Sequence, residues 1–249
     1  MGFVLLFSVF AFLAYANNSW GSYHWGRTSN PFILKLADNL SSSWDPYLAT
    51  TSADWSLSTV LDTTVVPSET RGCKASNGSV EVCNGKYGFN GWLGIAQIWI
   101  NTDGHIVKGM TKVNDTYFNT STYNTPAWRN LVMCQEVGHT LGLAHQDEVF
   151  DNPNLGTCMD YTNNPLTNQH PNDHDYAQLE LIYEHLDDTD TTTGSLVSHR
   201  GNGSGAEGNL DDPSAWGKAV KQDEYGKNSP YERNLGNGEK LFTFIIWAE

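Results

Sequence analysis

Basic residues are scarce in this chain: 14 Lys and Arg stand against 28 Asp and Glu, a formal charge of −14 over 249 residues. A polyanion is repelled by such a field, which argues against a nucleic-acid partner. Long apolar runs are missing as well. No internal stretch approaches the roughly 18 consecutive apolar residues that cross a bilayer, so no membrane partner is expected once the N terminus is processed. Cysteine is limited to four residues, too few to replace a core with a disulfide scaffold. What the chain does have is aromatic mass: 9 Trp, 11 Tyr and 10 Phe. Such content needs burial and rules out a disordered tail; the length suits one sizeable core.

The N terminus reads separately. Phe3 to Tyr15 is almost continuously apolar, and Ala14-Tyr15-Ala16 is a small-x-small cleavage pattern. Residues 1–16 are therefore expected to be a secretory signal peptide, with the mature chain starting near Asn17 and localised outside the cell. The first expected strand follows closely and no cysteine precedes Cys73, so export without a long inhibitory prosegment is predicted. Four cysteines in an oxidising compartment allow three pairings. Cys73 and Cys83 bracket a short Gly/Ser loop and form the first expected pair, leaving Cys134 with Cys158. Sequons at Asn17, Asn39, Asn77, Asn114, Asn119 and Asn202 permit glycosylation.

Apolar and β-branched runs predict strands over Pro31–Leu36, Val60–Val66, Ser79–Val82, Ile95–Ile100 and Ile106–Val113, the last two joined at Asn101-Thr102-Asp103-Gly104. A helix is expected over Trp44–Trp55. A second begins at Thr125-Pro126, an N-cap followed by Pro at the first helical position, and ends near Leu141 before Gly142. A third spans His174–Leu186. Residues 187–213 are nearly devoid of apolar side chains and read as a polar linker or long loop; residues 214–249 read as a small β-containing segment ending in a strand over Lys240–Trp247.

Chemistry concentrates at Gln135-Glu136-Val137-Gly138-His139-Thr140-Leu141-Gly142-Leu143-Ala144-His145, followed by Cys158-Met159-Asp160-Tyr161. Residues 135 and 139 share one helix face, one turn apart, with Glu136 beside them. His145 joins them only if the helix stops, and Gly142 supplies the stop. Two side chains on the helix and one beyond the glycine then converge, with a carboxylate nearby: an open metal site with a general base. Elsewhere, Asp147, Glu148, Asp151, Asn152 and Asn154 crowd oxygen donors that suit Ca2+, against the plainer reading of a solvated acidic loop. His170 and His174 stand four apart but flank Pro171, which favours a loop. Gly203 to Gly208 matches a dinucleotide fingerprint in form only, since no strand precedes it.

The 135–145 stretch resembles the zinc signature of the metzincin metalloproteases, His-Glu-x-x-His-x-x-Gly-x-x-His with a Met-turn downstream, and the matrixin branch most of all. The likeness covers about residues 17–186 and implies an α+β fold: a twisted mixed five-stranded sheet, an active-site helix, and a smaller C-terminal subdomain after the Met-turn. It implies Gln135, His139 and His145 as metal ligands, Glu136 as general base, Met159 as the structural Met-turn residue, and Tyr161 as a contact to the metal or the developing oxyanion. The activity implied is a secreted zinc endopeptidase acting as a monomer on polypeptide substrates, with Ile95–Ile100 as the cleft edge to which substrate adds as a strand. The sequence departs from the pattern at Gln135, where the family has His. An amide oxygen is a weaker zinc ligand than imidazole, which opens the site to another divalent ion such as copper. Gametolysin, an algal metzincin, carries the same Gln variant. The alternative function is a catalytically impaired binding module on the same fold.

Overall fold

A computed structural model of the chain describes residues 17–194, 209–223 and 225–248; the expected signal peptide, the sequon at Asn202 and residues 203–208 lie outside them. The elements run β1 (His24–Trp25), β2 (Phe32–Asn39), α1 (Asp45–Trp55), β3 (Leu61–Pro67), β4 (Ser79–Gly85), β5 (Trp92–Ile100), β6 (His105–Asn114), α2 (Asp115–Phe118), α3 (Pro126–Thr140), α4 (Asp173–Ile182), β7 (Lys218–Ala219), β8 (Tyr231–Gly236) and β9 (Glu239–Trp247). The architecture is α+β around a mixed sheet. Its order is β3-β2-β4-β6-β5-β9-β8-β7, and the short β1 pairs with β6. From β3 to β6 neighbours are parallel; β5 runs antiparallel to β6.

The strand count corrects the expected five: nine strands join one sheet among the described residues. The reason lies in the last segment. β9 buries Leu241, Phe242, Phe244, Ile245 and Ile246 by pairing antiparallel with β5, and it carries β8 and β7 with it. β2 alternates as a half-covered strand should, with Phe32, Leu34 and Leu36 inward and Ile33 and Lys35 outward. β5 is buried along its whole length, because it has neighbours on both edges and α3 across one face.

α1 and α3 pack together over the sheet, and the main core (Trp25, Trp44, Trp55, Leu131, Val132, Val137, Phe242 and Phe244 among its members) lies in that layer. Both expected disulfides are formed, Cys73–Cys83 and Cys134–Cys158. α4 ends at Ile182 rather than Leu186, since Tyr183 turns inward. Its ring packs 4.9 Å from Phe32 and its hydroxyl donates to the Leu141 carbonyl at 3.0 Å. Beyond α4 the polar residues 187–194 lie against the body: the buried Thr191 hydroxyl donates to the Ile106 carbonyl at 2.6 Å, and Asp187 pairs with Arg27.

Candidate functional site

Thr125 caps α3 by accepting from the Trp128 backbone N–H, and Pro126 occupies the first turn. At the other end the orphan carbonyls find side-chain donors: Trp25 Nε1 reaches Thr140 at 2.8 Å and Tyr183 reaches Leu141. Gly142 then turns the chain with φ of 99°. A side chain there would meet strain twice, because a Cβ would also lie 2.8 Å from the Tyr23 carbonyl oxygen. The reversal returns His145 to the helix it has just left.

His139 and His145 meet with their Nε2 atoms 3.0 Å apart. Each ring is held by its other nitrogen: His139 Nδ1 lies 2.9 Å from the Leu143 carbonyl, and His145 Nδ1 lies 3.3 Å from a Glu148 carboxylate oxygen. A carbonyl oxygen accepts only, and an ionised carboxylate does the same, so both Nδ1 atoms carry the hydrogen. The two Nε2 atoms are close enough to share one cation, a proton or a metal ion, and imidazoles oriented from behind by oxygen acceptors are the usual support of a metal site. Burial and the neighbouring His145 hold the His139 pKa well below the ordinary imidazole value, so this ring stays neutral and able to ligate. Burial alone would raise the Glu148 pKa, but hydrogen bonds from His145 and Lys221 outweigh it and hold the carboxyl at about 2.

The other predicted site residues have these surroundings. Gln135 donates from Nε2 to the Cys158 carbonyl at 2.8 Å, and its Oε1 is buried without a hydrogen-bond partner. That oxygen is a donor atom suited to a cation. Glu136 sits alongside, wholly buried, neither carboxylate oxygen engaged in a hydrogen bond of ordinary geometry. Burial pushes its pKa well above the carboxylate range, and the nearby Ile246 backbone N–H only partly offsets this. Room for Glu136 is made by Gly94 on β5, where a Cβ would lie 2.8 Å from Glu136 Oε1. Met159 lies under α3 against Gly138, where a Cβ would come within 2.6 Å of its sulfur. Tyr161 packs its ring 4.2 Å from His145, and its hydroxyl donates to the Ile245 carbonyl at 3.1 Å.

The expected cleft edge requires correction. Ile95–Ile100 is not open, because β9 runs antiparallel along it, with Gln97 opposite Thr243 and Ala96 opposite Phe244. Phe244 stacks on the His139 ring at 4.5 Å with the planes 12° apart. Gln135, Glu136 and His139 are fully buried as a result. Sequence reasoning missed this cover, since an apolar strand carries no mark of its partner. It also missed Glu148 as the support of His145, although a carboxylate three residues on was a readable signal.

No protein-family model matches the chain, and no curated protein matches it significantly. The functional reading therefore rests on the geometry. The other sequence candidates are not brought together. Glu148 is engaged by His145 and Lys221, Asp147 accepts from the Val149 backbone, Asn154 accepts from Thr162, and His170 pairs with Asp54 at 2.7 Å. Among the described residues, one group of three His, Cys, Asp or Glu side chains is placed to hold a metal, and it lies elsewhere: His24, His185 and Asp187.

Proposed function

We propose that the chain is a metal-dependent endopeptidase of metzincin type, with Gln135, His139 and His145 as metal ligands, Glu136 as general base and Tyr161 as an oxyanion donor. The observation that carries the reading is the convergence of two imidazole Nε2 atoms at 3.0 Å, each ring braced through Nδ1. The buried, unpartnered Oε1 of Gln135 adds a third donor of the right kind. When bound, a zinc-class cation supplies a lowered water pKa and a polarised carbonyl. Glu136 takes a proton from the attacking water on its carboxylate and delivers it to the leaving amine nitrogen. The Tyr161 hydroxyl donates to the carbonyl oxygen of the bond being cut.

On this reading the chain's own C-terminal strand lies where a substrate strand would pair. β9 lies antiparallel on β5 and offers the Ile245 carbonyl to the Tyr161 hydroxyl. Main-chain pairing of this kind is how an extended peptide is held on a sheet edge. The described conformation is thus read as a closed form, from which β9 leaves before a substrate enters.

The deciding experiment compares the parent with Glu136→Gln for metal content and for cleavage of an unfolded casein-type substrate. Metal content is expected to stay the same while turnover drops by about 10²-fold or more, the contribution of a positioned base. Equal turnover in the variant would overturn the mechanism. A second reading, a non-catalytic module, is favoured by Gln135 in place of an imidazole and by the covered cleft; it predicts no cleavage by either protein and sub-stoichiometric metal.

A further inference from the structure

A second set of imidazoles converges where β1, the start of β6 and the segment after α4 meet. His24 comes from β1, His105 opens β6, and His185 and Asp187 follow α4. Asp187 Oδ1 lies 3.3 Å from His24 Nε2, 3.3 Å from His105 Nε2 and 3.5 Å from His185 Nε2. The donor atoms of His24, His185 and Asp187 all fall within 4.8 Å of one another. The other carboxylate oxygen, Oδ2, takes Arg27 Nη1 at 2.6 Å and the Arg27 backbone N–H at 3.2 Å. Asp187 is thereby aimed with Oδ1 toward the rings.

An Arg–Asp ion pair ringed by histidines is the plainer account. His24 Nδ1 donates to the Ser22 carbonyl at 2.7 Å, which turns Nε2 toward Asp187 Oδ1. The spacing of the donors suits a metal ion as well as an ion pair. Donors about 2.0–2.1 Å from a tetrahedral zinc stand about 3.3–3.4 Å from each other, close to the three Nε2–Oδ1 distances. Two imidazoles and one carboxylate, from His24, His185 and Asp187, are a zinc-class donor set. His24 and Asp187 are nearly buried at 8% side-chain exposure each, whereas His185 is 59% exposed, which leaves an entry path at the mouth.

We propose that His24, His185 and Asp187 form a second divalent-metal site, of zinc class, that staples β1 to the segment after α4. Its three donors come from two separate stretches of chain, so its role is to hold them together. It shares no ligand with the site around His139 and does not depend on the peptidase reading.

The test loads the full chain with Zn2+, removes weakly held ion by dialysis, and measures metal per chain in the parent, in His185→Ala and in His139→Ala/His145→Ala. Two zinc ions are expected in the parent and one in each variant. Co2+ in the His139→Ala/His145→Ala chain is expected to give the intense visible absorption of a tetrahedral ion, and His185→Ala added to that background should abolish it. Because His185 is mostly exposed, its truncation leaves the fold intact, and a thermal melt without added metal checks this. Zinc content in His185→Ala equal to the parent, or a Co2+ spectrum insensitive to that change, would overturn the proposal.

Discussion

Gln135 shows how one side chain would set the character of the proposed site. Its amide spends the N–H on the Cys158 carbonyl and leaves Oε1 without a hydrogen-bond partner, whereas imidazole would offer nitrogen, the stronger zinc donor. Gln135→His is expected to raise zinc affinity by about tenfold or more, read by competition with a chromophoric chelator. No gain would mean that position 135 does not face the ion. Gly94 acts by what it lacks. A Cβ there would lie 2.6 Å from Val132 Cγ1 and 2.8 Å from Glu136 Oε1. Gly94→Ala is therefore expected to cost about 1–3 kcal/mol in denaturant unfolding and to lower turnover by displacing the base. A loss of turnover without any loss of stability would place the clash on the carboxylate alone.

α3 and β9 are held in place by different means. α3 is stopped by Gly142 and its last carbonyls are held by Trp25 and Tyr183, so the histidine pair is set by a rigid turn. β9 is held chiefly by burial. Five large apolar side chains leave water in it, worth about 10 kcal/mol at roughly 2 kcal/mol each as an upper figure. A short peptide at ordinary concentration does not compete with that, so opening needs release of the strand. Gln97 and Thr243 are register partners whose side chains hydrogen-bond at 3.2 Å, which makes them a site for a reversible lock. Oxidised Gln97→Cys/Thr243→Cys is expected to show no cleavage, and mild reduction to restore the parent rate, with the parent given the same reductant as control. Equal rates in locked and reduced forms would show that β9 is not the gate. Absence of cleavage in every form would instead overturn the peptidase reading.

The molecule as a whole is expected to lose stability in alkali through its buried phenols. Tyr176 is pushed up to about 12, first by burial and then by the nearby Asp54, Asp175 and Asp173. Burial likewise raises Tyr87, Tyr161 and Tyr183 above the ordinary phenol value. In the unfolded chain these groups ionise near pH 10. Raised folded values mean that the native state keeps its protons longer, so this stability is intact below about pH 10 and falls as pH rises beyond it. Phenolate absorbance is expected to appear in two phases, an exposed set near pH 10 and a delayed set coinciding with loss of native circular dichroism. A single phase near pH 10 in a protein that stays folded would contradict this.

Local chemistry settled a good deal before any fold was drawn. The Thr125-Pro126 start of α3, its Gly142 stop, the alternation of β2 and the 135–139–145 spacing are short-range features, governed by dihedral preference and helical period. They bring His139 and His145 into contact, and the Cys73–Cys83 pair followed from loop length. Contacts across long stretches of chain were not legible. β9 covers β5 from about 145 residues away, and Asp187 reaches His24 from 163. An apolar strand fits any sheet edge, and a polar segment can be free or pinned by hydrogen bonds with the same composition. Which edge is filled, and which carboxylate meets which imidazole, is decided only when the whole core has packed.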